Sequence, residues 1–175
     1  VRYNQSKIDN IAEVMTPPYD VISEEQQQKY YDASPYNIIR LELGKEFSDD
    51  TKSNNKYTRA AHEFQSWLNE NIMEQDDEPS LYIYEQQFVV NGITYSRTGF
   101  IGLIELQEFS KGNILPHENT LSKPKVDRLN LMRACNANFS QVFALYDDEN
   151  EEISRLIRQY KGERQPETQF KTMDN

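Results

Sequence analysis

Ten residues of mostly alternating pattern, LYIYEQQFVV (Leu81–Val90), run into Asn91-Gly92, and a second apolar arm leaves it at Ile93. Asn-Gly supplies the two positive-φ positions that the tightest hairpin turns require. The pair therefore fixes two antiparallel strands, Leu81–Val90 and Ile93–Leu106, and excludes a purely helical or purely parallel architecture. On the first arm Leu81, Ile83, Glu85 and Gln87 share one face, with Tyr82, Tyr84, Gln86 and Phe88 opposite. Gly99 and Gly102 on the second arm mark a bulge or a close backbone approach.

The flanking segments add helices. Ser23 followed by Gln26 is a capping-box pattern and predicts a helix over Glu24–Ala33, ended by Ser34-Pro35. Tyr57, Ala60, Ala61, Phe64, Trp67 and Leu68 recur at helical spacing and predict an amphipathic helix from Lys56 to about Glu70. NIIRLELG (Asn37–Gly44) alternates from Ile39 onwards and reads as a half-buried strand. Further readings are a helix over Lys125–Asn136 with Leu129, Met132 and Cys135 inward, a strand over Asn138–Tyr146, and a helix over Glu151–Tyr160. The order predicts an α+β fold, with a mixed, largely antiparallel sheet around the central hairpin and helices packed on it. One domain over residues 1–160 is expected, with 161–175 a polar tail or the start of a further segment. The chain begins at Val1 and ends in GERQPETQFKTMDN, which suggests a piece of a longer protein.

Charge narrows the function. The 175 residues carry 19 cations and 29 acids, a net −10, so bulk attraction to nucleic acid is not expected. Between Lys111 and Arg133, however, five cations meet two acids, a local +3 that leaves −13 elsewhere. A basic island in an acidic chain suits a small anionic ligand better than a polyanion. A single cysteine, Cys135, excludes an intrachain disulfide and speaks against a cysteine zinc site. No run of 18 apolar residues and no signal peptide is visible, so neither a membrane nor an export route is implied and a cytoplasmic location is the expectation.

The island centres on HENTLSKPKVDR (His117–Arg128). Pro124 is tolerated in a first helical turn, with Ser122 or Lys123 expected as the N-cap. A helix start exposes unpaired N–H groups that bind anions. Thr120, Lys123, Lys125, Arg128 and Arg133 are therefore the candidate phosphate-binding residues, Arg128 for its planar fork. His117 and Glu118 are candidates to move a proton, and Asp127 to hold a metal or orient Arg128. The plain alternative is a capped helix start with solvated charges. Asp20, beside Tyr19 after two prolines, is a candidate buried acid. Glu85, on a strand with apolar neighbours, needs a partner, for which an arginine is expected, the alternative being a catalytic acid. Arg40 and Glu42 read as a charge pair on the polar face of their strand, and His62 as a partly exposed helix residue.

PPYDVIS, SPYNIIRLELG, YIYEQQF, RTGFIGLIEL, LPHENTLSKPKVDRLNLMRACNANFS and VFALY occur in this order. Together, from about Thr16 to Tyr146, they resemble a prokaryotic family of uncharacterised proteins, domain of unknown function ten-fifteen, often labelled SpoOJ/ParA/ParB/repB-like. The resemblance implies a ParB/sulfiredoxin-like fold that binds nucleotide phosphates at a helix start. It also implies a nucleotide-dependent kinase of a small metabolite such as free serine, or alternatively a non-enzymatic nucleotide-sensing module. ATP, ADP or CTP with Mg²⁺ would be the cofactors, without zinc or haem. On this reading His117, Glu118, Thr120, Lys123, Lys125, Asp127 and Arg128 match the phosphate loop and helix start, with Asp20 an acid near the transferred group. Members are roughly twice as long, so the missing C-terminal part is expected to pack on this one. The glycine-x-histidine-arginine signature of the superfamily is absent.

Overall fold

The computed structural model describes residues 1–116 and 122–173. It combines helices with small antiparallel sheets, as the element order implied, and it divides into two compact units. The first comprises Val1–Gln75, Thr120–Gln141 and Gln169–Asn175, and the second Asp76–Asn119 and Val142–Thr168.

In the first unit, β1 (Arg2–Tyr3) pairs antiparallel with β2 (Met73–Glu74), and the Arg2 guanidinium meets Glu74 at 3.1 Å. Helix α1 (Glu24–Ala33) starts at the predicted capping box: Ser23 Oγ accepts from the Gln26 N–H, and Gln26 Oε1 accepts from the Ser23 N–H. Helix α3 (Lys56–Asn69) is capped by Asn55, whose side chain accepts from the Tyr57 and Thr58 N–H groups. Its stripe of Ala60, Phe64 and Trp67 is buried against Ile8, Val14, Leu41, Ile72, Met73 and Leu131. Tyr36 meets Trp67 edge-on at 6.0 Å, and Phe139 meets Phe64 edge-on at 5.0 Å.

Asn37–Gly44 is not a strand. Ile39–Glu42 forms a single helical turn, α2. Asn37, fully buried, explains it: its side-chain oxygen accepts from the Ile39 N–H and its amide donates to Glu13 O, while the Ile38 N–H donates to Val14 O. These bonds satisfy the segment without a neighbouring strand. The alternation that suggested a strand survives as burial, with Ile39 and Leu41 enclosed and Arg40 and Glu42 half-exposed. Arg40 and Glu42 do not pair. The Arg40 guanidinium donates to Tyr31 O and lies 4.6 Å from the Tyr31 ring.

Helix α4 (Ser122–Cys135) begins earlier than expected, so Ser122 and Lys123 are helical rather than capping residues. Its inner face is also turned from the expected one. Asp127, Arg128, Leu131 and Cys135 are turned in, whereas Leu129 and Met132 are each 43% exposed. The spacing i, i+4, i+8 from Asp127 through Leu131 to Cys135 is a helical stripe that happens to begin with an ion pair.

In the second unit, β3 (Tyr82–Val90) and β4 (Ile93–Ile101) pair in continuous register from Tyr82↔Ile101 to Val90↔Ile93. Asn91 and Gly92 turn the chain at φ 52° and 77°, both in the left-handed region. Two strands make up this whole sheet among the described residues. Gly102 supplies a close approach: a Cβ there would sit 2.4 Å from Leu81 Cδ2. Residues 138–146 form no strand; Phe143 instead lies under the Arg97 guanidinium and Tyr146 against Phe100. Without backbone partners, the alternating apolar pattern there has nothing to pair with, and Val142 and Leu145 stay exposed. Helix α5 (Glu152–Glu163) is anchored at its start by Asp148, which accepts from Ile153 N–H, Ser154 N–H and the Ser154 hydroxyl. No helix among the described residues is long and apolar enough to cross a membrane.

Candidate functional site

A dense polar arrangement in the first unit is built from α3, α4 and the end of α2. Asp127, on the inner face of α4, receives Lys56 Nζ at 2.7 Å and the Tyr57 hydroxyl at 2.8 Å on Oδ1. Arg128 donates from Nε and Nη2 to Oδ2 at 3.1 and 2.6 Å. The Asn55 cap places Lys56 and Tyr57 on the first turn of α3, which faces α4 across the shared core. Lys56 also reaches Glu46 at 2.7 Å.

The guanidinium of Arg128 is fixed from three directions. Besides Asp127, Nη2 donates to Glu42 O at 2.7 Å, and the group lies 4.0 Å from the centre of the Tyr19 ring. Its Nη1 is buried and has no hydrogen-bond partner among the described residues. A small cleft of about 10 Å³ opens beside it, lined by Glu42, Gly44, Lys56, Tyr57 and Arg128 with the apolar Leu41, Leu43 and Leu131. That is room for one water-sized group.

The electrostatics follow from these contacts. Burial pushes the Asp127 carboxyl up, but hydrogen bonds from Lys56, Arg128 and Tyr57 outweigh it and hold the group at about 2. Burial opposes the charge on Lys56, yet Asp127 and Glu46 raise its ammonium above the ordinary value. Burial and the bond to Asp127 raise the Tyr57 phenol. Glu42 is raised by burial, partly offset by the hydroxyl of Ser140, which donates to Oε1, and by the charge of Arg128. The cluster is thus a carboxylate locked in its charged form between three donors, with a half-buried, easily protonated carboxyl at its edge.

The residues singled out in the sequence are distributed unevenly. Asp127 and Arg128 are together at the centre. Lys123, Lys125 and Arg133 are exposed on α4. Asp20 lies exposed in a one-turn 3₁₀ segment, Tyr19–Val21, and not buried as its two prolines suggested; its neighbour Tyr19 is the residue that reaches the cluster. His117, Glu118 and Thr120 lie outside the described residues. Glu85 pairs with Lys161 of α5 rather than with an arginine, and Lys161 and Gln87 draw its carboxyl down. His62 is exposed on α3.

Lys56, Tyr57, Tyr19 and Ser140 were not legible as site residues. Lys56 and Asp127 are far apart in the chain, and neither belongs to a motif that names the other. The one available signal was Asn55, a helix cap that fixes where Lys56 and Tyr57 begin.

Among the described residues, no three His, Cys, Asp or Glu side chains gather where a metal ion would sit. Asp127 does not fit Mg²⁺ as arranged, because both its oxygens already accept from cationic or hydroxyl donors and a hard cation needs free oxygen ligands. The phosphate end of a nucleotide finds a compatible donor set in Arg128, Lys56 and Tyr57.

The fold and the cluster define an α+β chain with a half-buried ion-pair network beside an apolar core. A family model described as Protein of unknown function (DUF1015) matches residues 1–175, and the chain belongs to that family. No curated protein and no solved structure matches it.

Proposed function

We propose that the first unit is a recognition domain for a small anionic ligand, most simply one oxygen of a phosphate group. The carrying observation is Arg128: held by Asp127, the Glu42 carbonyl and the Tyr19 ring, it leaves Nη1 without a partner among the described residues, beside a cleft that also holds Lys56 and Tyr57. A buried guanidinium nitrogen without an acceptor is costly, and an anionic oxygen satisfies it with a charge-assisted bond. The cleft admits a single small group, so a nucleoside or metabolite attached to that phosphate would lie outside it. Lys123 and Lys125, exposed on the first turn of α4, would screen the rest of the ligand's charge.

Binding fits this cluster better than phosphoryl transfer. Asp127 is saturated with donors and held at about 2, so it does not take up a proton at neutral pH. A kinase reading places its base on Glu118, His117 or the exposed Asp20, and the non-enzymatic nucleotide-sensing reading needs none of them.

The test is calorimetric titration with inorganic phosphate, ATP, ADP and CTP, each with and without Mg²⁺. Arg128→Lys keeps the charge but removes the fork and should weaken phosphate binding about tenfold or more. Lys123→Ala with Lys125→Ala should weaken only the larger, more highly charged ligands. Absence of binding by every phosphate compound, with the fold intact, would sink the proposal. Product formation from ATP and free serine would show transfer chemistry as well.

A further inference from the structure

The cleft beside Arg128 has an acid in its wall. Glu42, at the end of α2, lines it together with Lys56, Tyr57 and Arg128. The backbone carbonyl of Glu42 accepts from Arg128 Nη2, and its half-buried carboxyl feels the charge of the same guanidinium. Ser140 donates its hydroxyl to Oε1 and so fixes one carboxyl oxygen.

An acid in the wall of an anion site sets a charge conflict. Two cations, Lys56 and Arg128, stand with three acids, Asp127, Glu46 and Glu42. Asp127 is held in its charged form by Lys56, Arg128 and Tyr57, and Glu46 shares the Lys56 ammonium from an exposed position. The phenols of Tyr57 and Tyr3, both raised by burial, add no charge. With Glu42 ionised the group therefore sums to −1. A bare anionic oxygen would meet Arg128 on one side and a like charge on the other.

One proton removes the conflict. The cleft, at about 10 Å³, takes a single water-sized group. A protonated oxygen in that space accepts from Arg128 Nη1 with a lone pair and donates its own hydrogen to Glu42. Nη1 has no acceptor among the described residues. Hydrogen phosphate carries such an oxygen, and a terminal phosphomonoester carries one or takes one up close to neutral pH. Sulfate and a phosphodiester have none, and set bare lone pairs against a carboxylate. A plain hydroxyl has the hydrogen but no charge to meet Lys123 and Lys125, exposed on α4.

We propose, resting on the reading of Arg128 as a donor to a phosphate oxygen, that Glu42 is the specificity-determining residue of this cleft. It selects an oxyanion that brings a proton, hydrogen phosphate or a terminal phosphomonoester, and rejects sulfate and phosphodiesters. The discriminating element is a repulsion built into the protein, which separates ligands that attraction to Arg128 alone would treat alike. No bond to phosphorus is made or broken.

Calorimetric titration of the chain at about pH 7.5, above the second ionisation of a phosphomonoester, compares inorganic phosphate with sulfate and methyl phosphate with dimethyl phosphate. Phosphate should bind about tenfold or more tightly than sulfate, and methyl phosphate should likewise exceed dimethyl phosphate. Glu42→Gln keeps the backbone carbonyl for Arg128 and a side-chain acceptor for Ser140, and offers the cleft an amide donor in place of a carboxylate oxygen. It should bring the phosphate-to-sulfate ratio to within about twofold, chiefly by strengthening sulfate. Its unfolding midpoint checks that the variant is folded, and the ratio in the parent chain needs no variant. Equal binding of phosphate and sulfate by the parent chain overturns this proposal and leaves the phosphate reading of Arg128 standing. So does a ratio unchanged by Glu42→Gln. Binding of none of the four compounds overturns both.

Discussion

The two units use similar local signals and reach opposite results. Every residue of the buried core, from Ile8 through Trp67 to Leu131, belongs to the first unit. The second has the clearest turn in the sequence and a continuous nine-pair register, yet none of its described residues is buried. Leu103, Leu106, Val142 and Leu145 are each at least 86% exposed. Local chemistry can therefore specify a strand pair fully without specifying what covers it. Burial needs a second surface, and a hairpin turn contains no information about one.

The largest expected contrast is in core truncation. Leu41→Ala removes a fully buried side chain and should cost about 3 kcal/mol in denaturant unfolding. Val142→Ala, in the second unit, should stay within about 0.5 kcal/mol. A substantial loss from Val142→Ala would mean that the second unit has a core in solution and would break the contrast.

Next comes the ion-pair network. Asp127→Ala leaves Lys56 and Arg128 half-buried without their acceptor and should cost about 2 to 3 kcal/mol. Breaking the Lys161–Glu85 pair of the second unit with Lys161→Ala should cost less, since both partners are more exposed, at 42% and 29%, than those of the Asp127 network. Two-state fits of both variants against the parent chain check this.

The pH dependence carries a sign in each direction. Asp127 is held at about 2 in the folded chain, below its ordinary 3.8, so its contribution is fully present above that ordinary value. It is lost as pH falls through about 2, and it amounts to roughly 2 kcal/mol. Glu42 is raised by burial, so the charged form disfavours the fold, and stability falls as pH rises through its folded value. Glu42→Gln should thus be slightly stabilising at neutral pH and neutral below pH 4, whereas Asp127→Asn should flatten the acid limb. Unfolding midpoints across pH 2–8 separate the two; a destabilised Glu42→Gln at pH 7 would count against burial as the dominant cause.

The smallest effect concerns backbone signals. Asn55→Ala should cost about 1 kcal/mol through the lost cap of α3. Gly92→Ala, at φ 77°, should cost a similar amount but only within the hairpin, visible as faster amide exchange in β3 and β4.

Legibility followed the range of each interaction. The capping box of α1, the stripe of α3 and the turn at Asn91-Gly92 are decided by residues within a few positions of one another, and the sequence states them directly. Asn37–Gly44 was misread because a buried side chain, not a strand ladder, satisfies its backbone, and period-two burial does not distinguish the two. Asn138–Tyr146 alternates just as well but found no partner strand. In α4 the inner face begins with Asp127 and Arg128, which a hydrophobic stripe search assigns to solvent. The candidate site was legible where charge density marked α4 and silent where Lys56, Tyr57 and Tyr19 complete it, because those contacts join segments that share no local pattern.

Tyr19 has one further consequence. An unrestrained arginine loses up to about 2 kcal/mol of rotamer entropy when a ligand freezes it. Arg128, stacked on Tyr19 and tied to Asp127 and the Glu42 carbonyl, is already frozen by folding. Its Nη1, without an acceptor among the described residues, is a pre-organised donor, so an anion arriving there has little ordering left to impose. Loosening the stack with Tyr19→Ala should therefore show first as a less favourable binding entropy, before any hydrogen bond to the anion is lost.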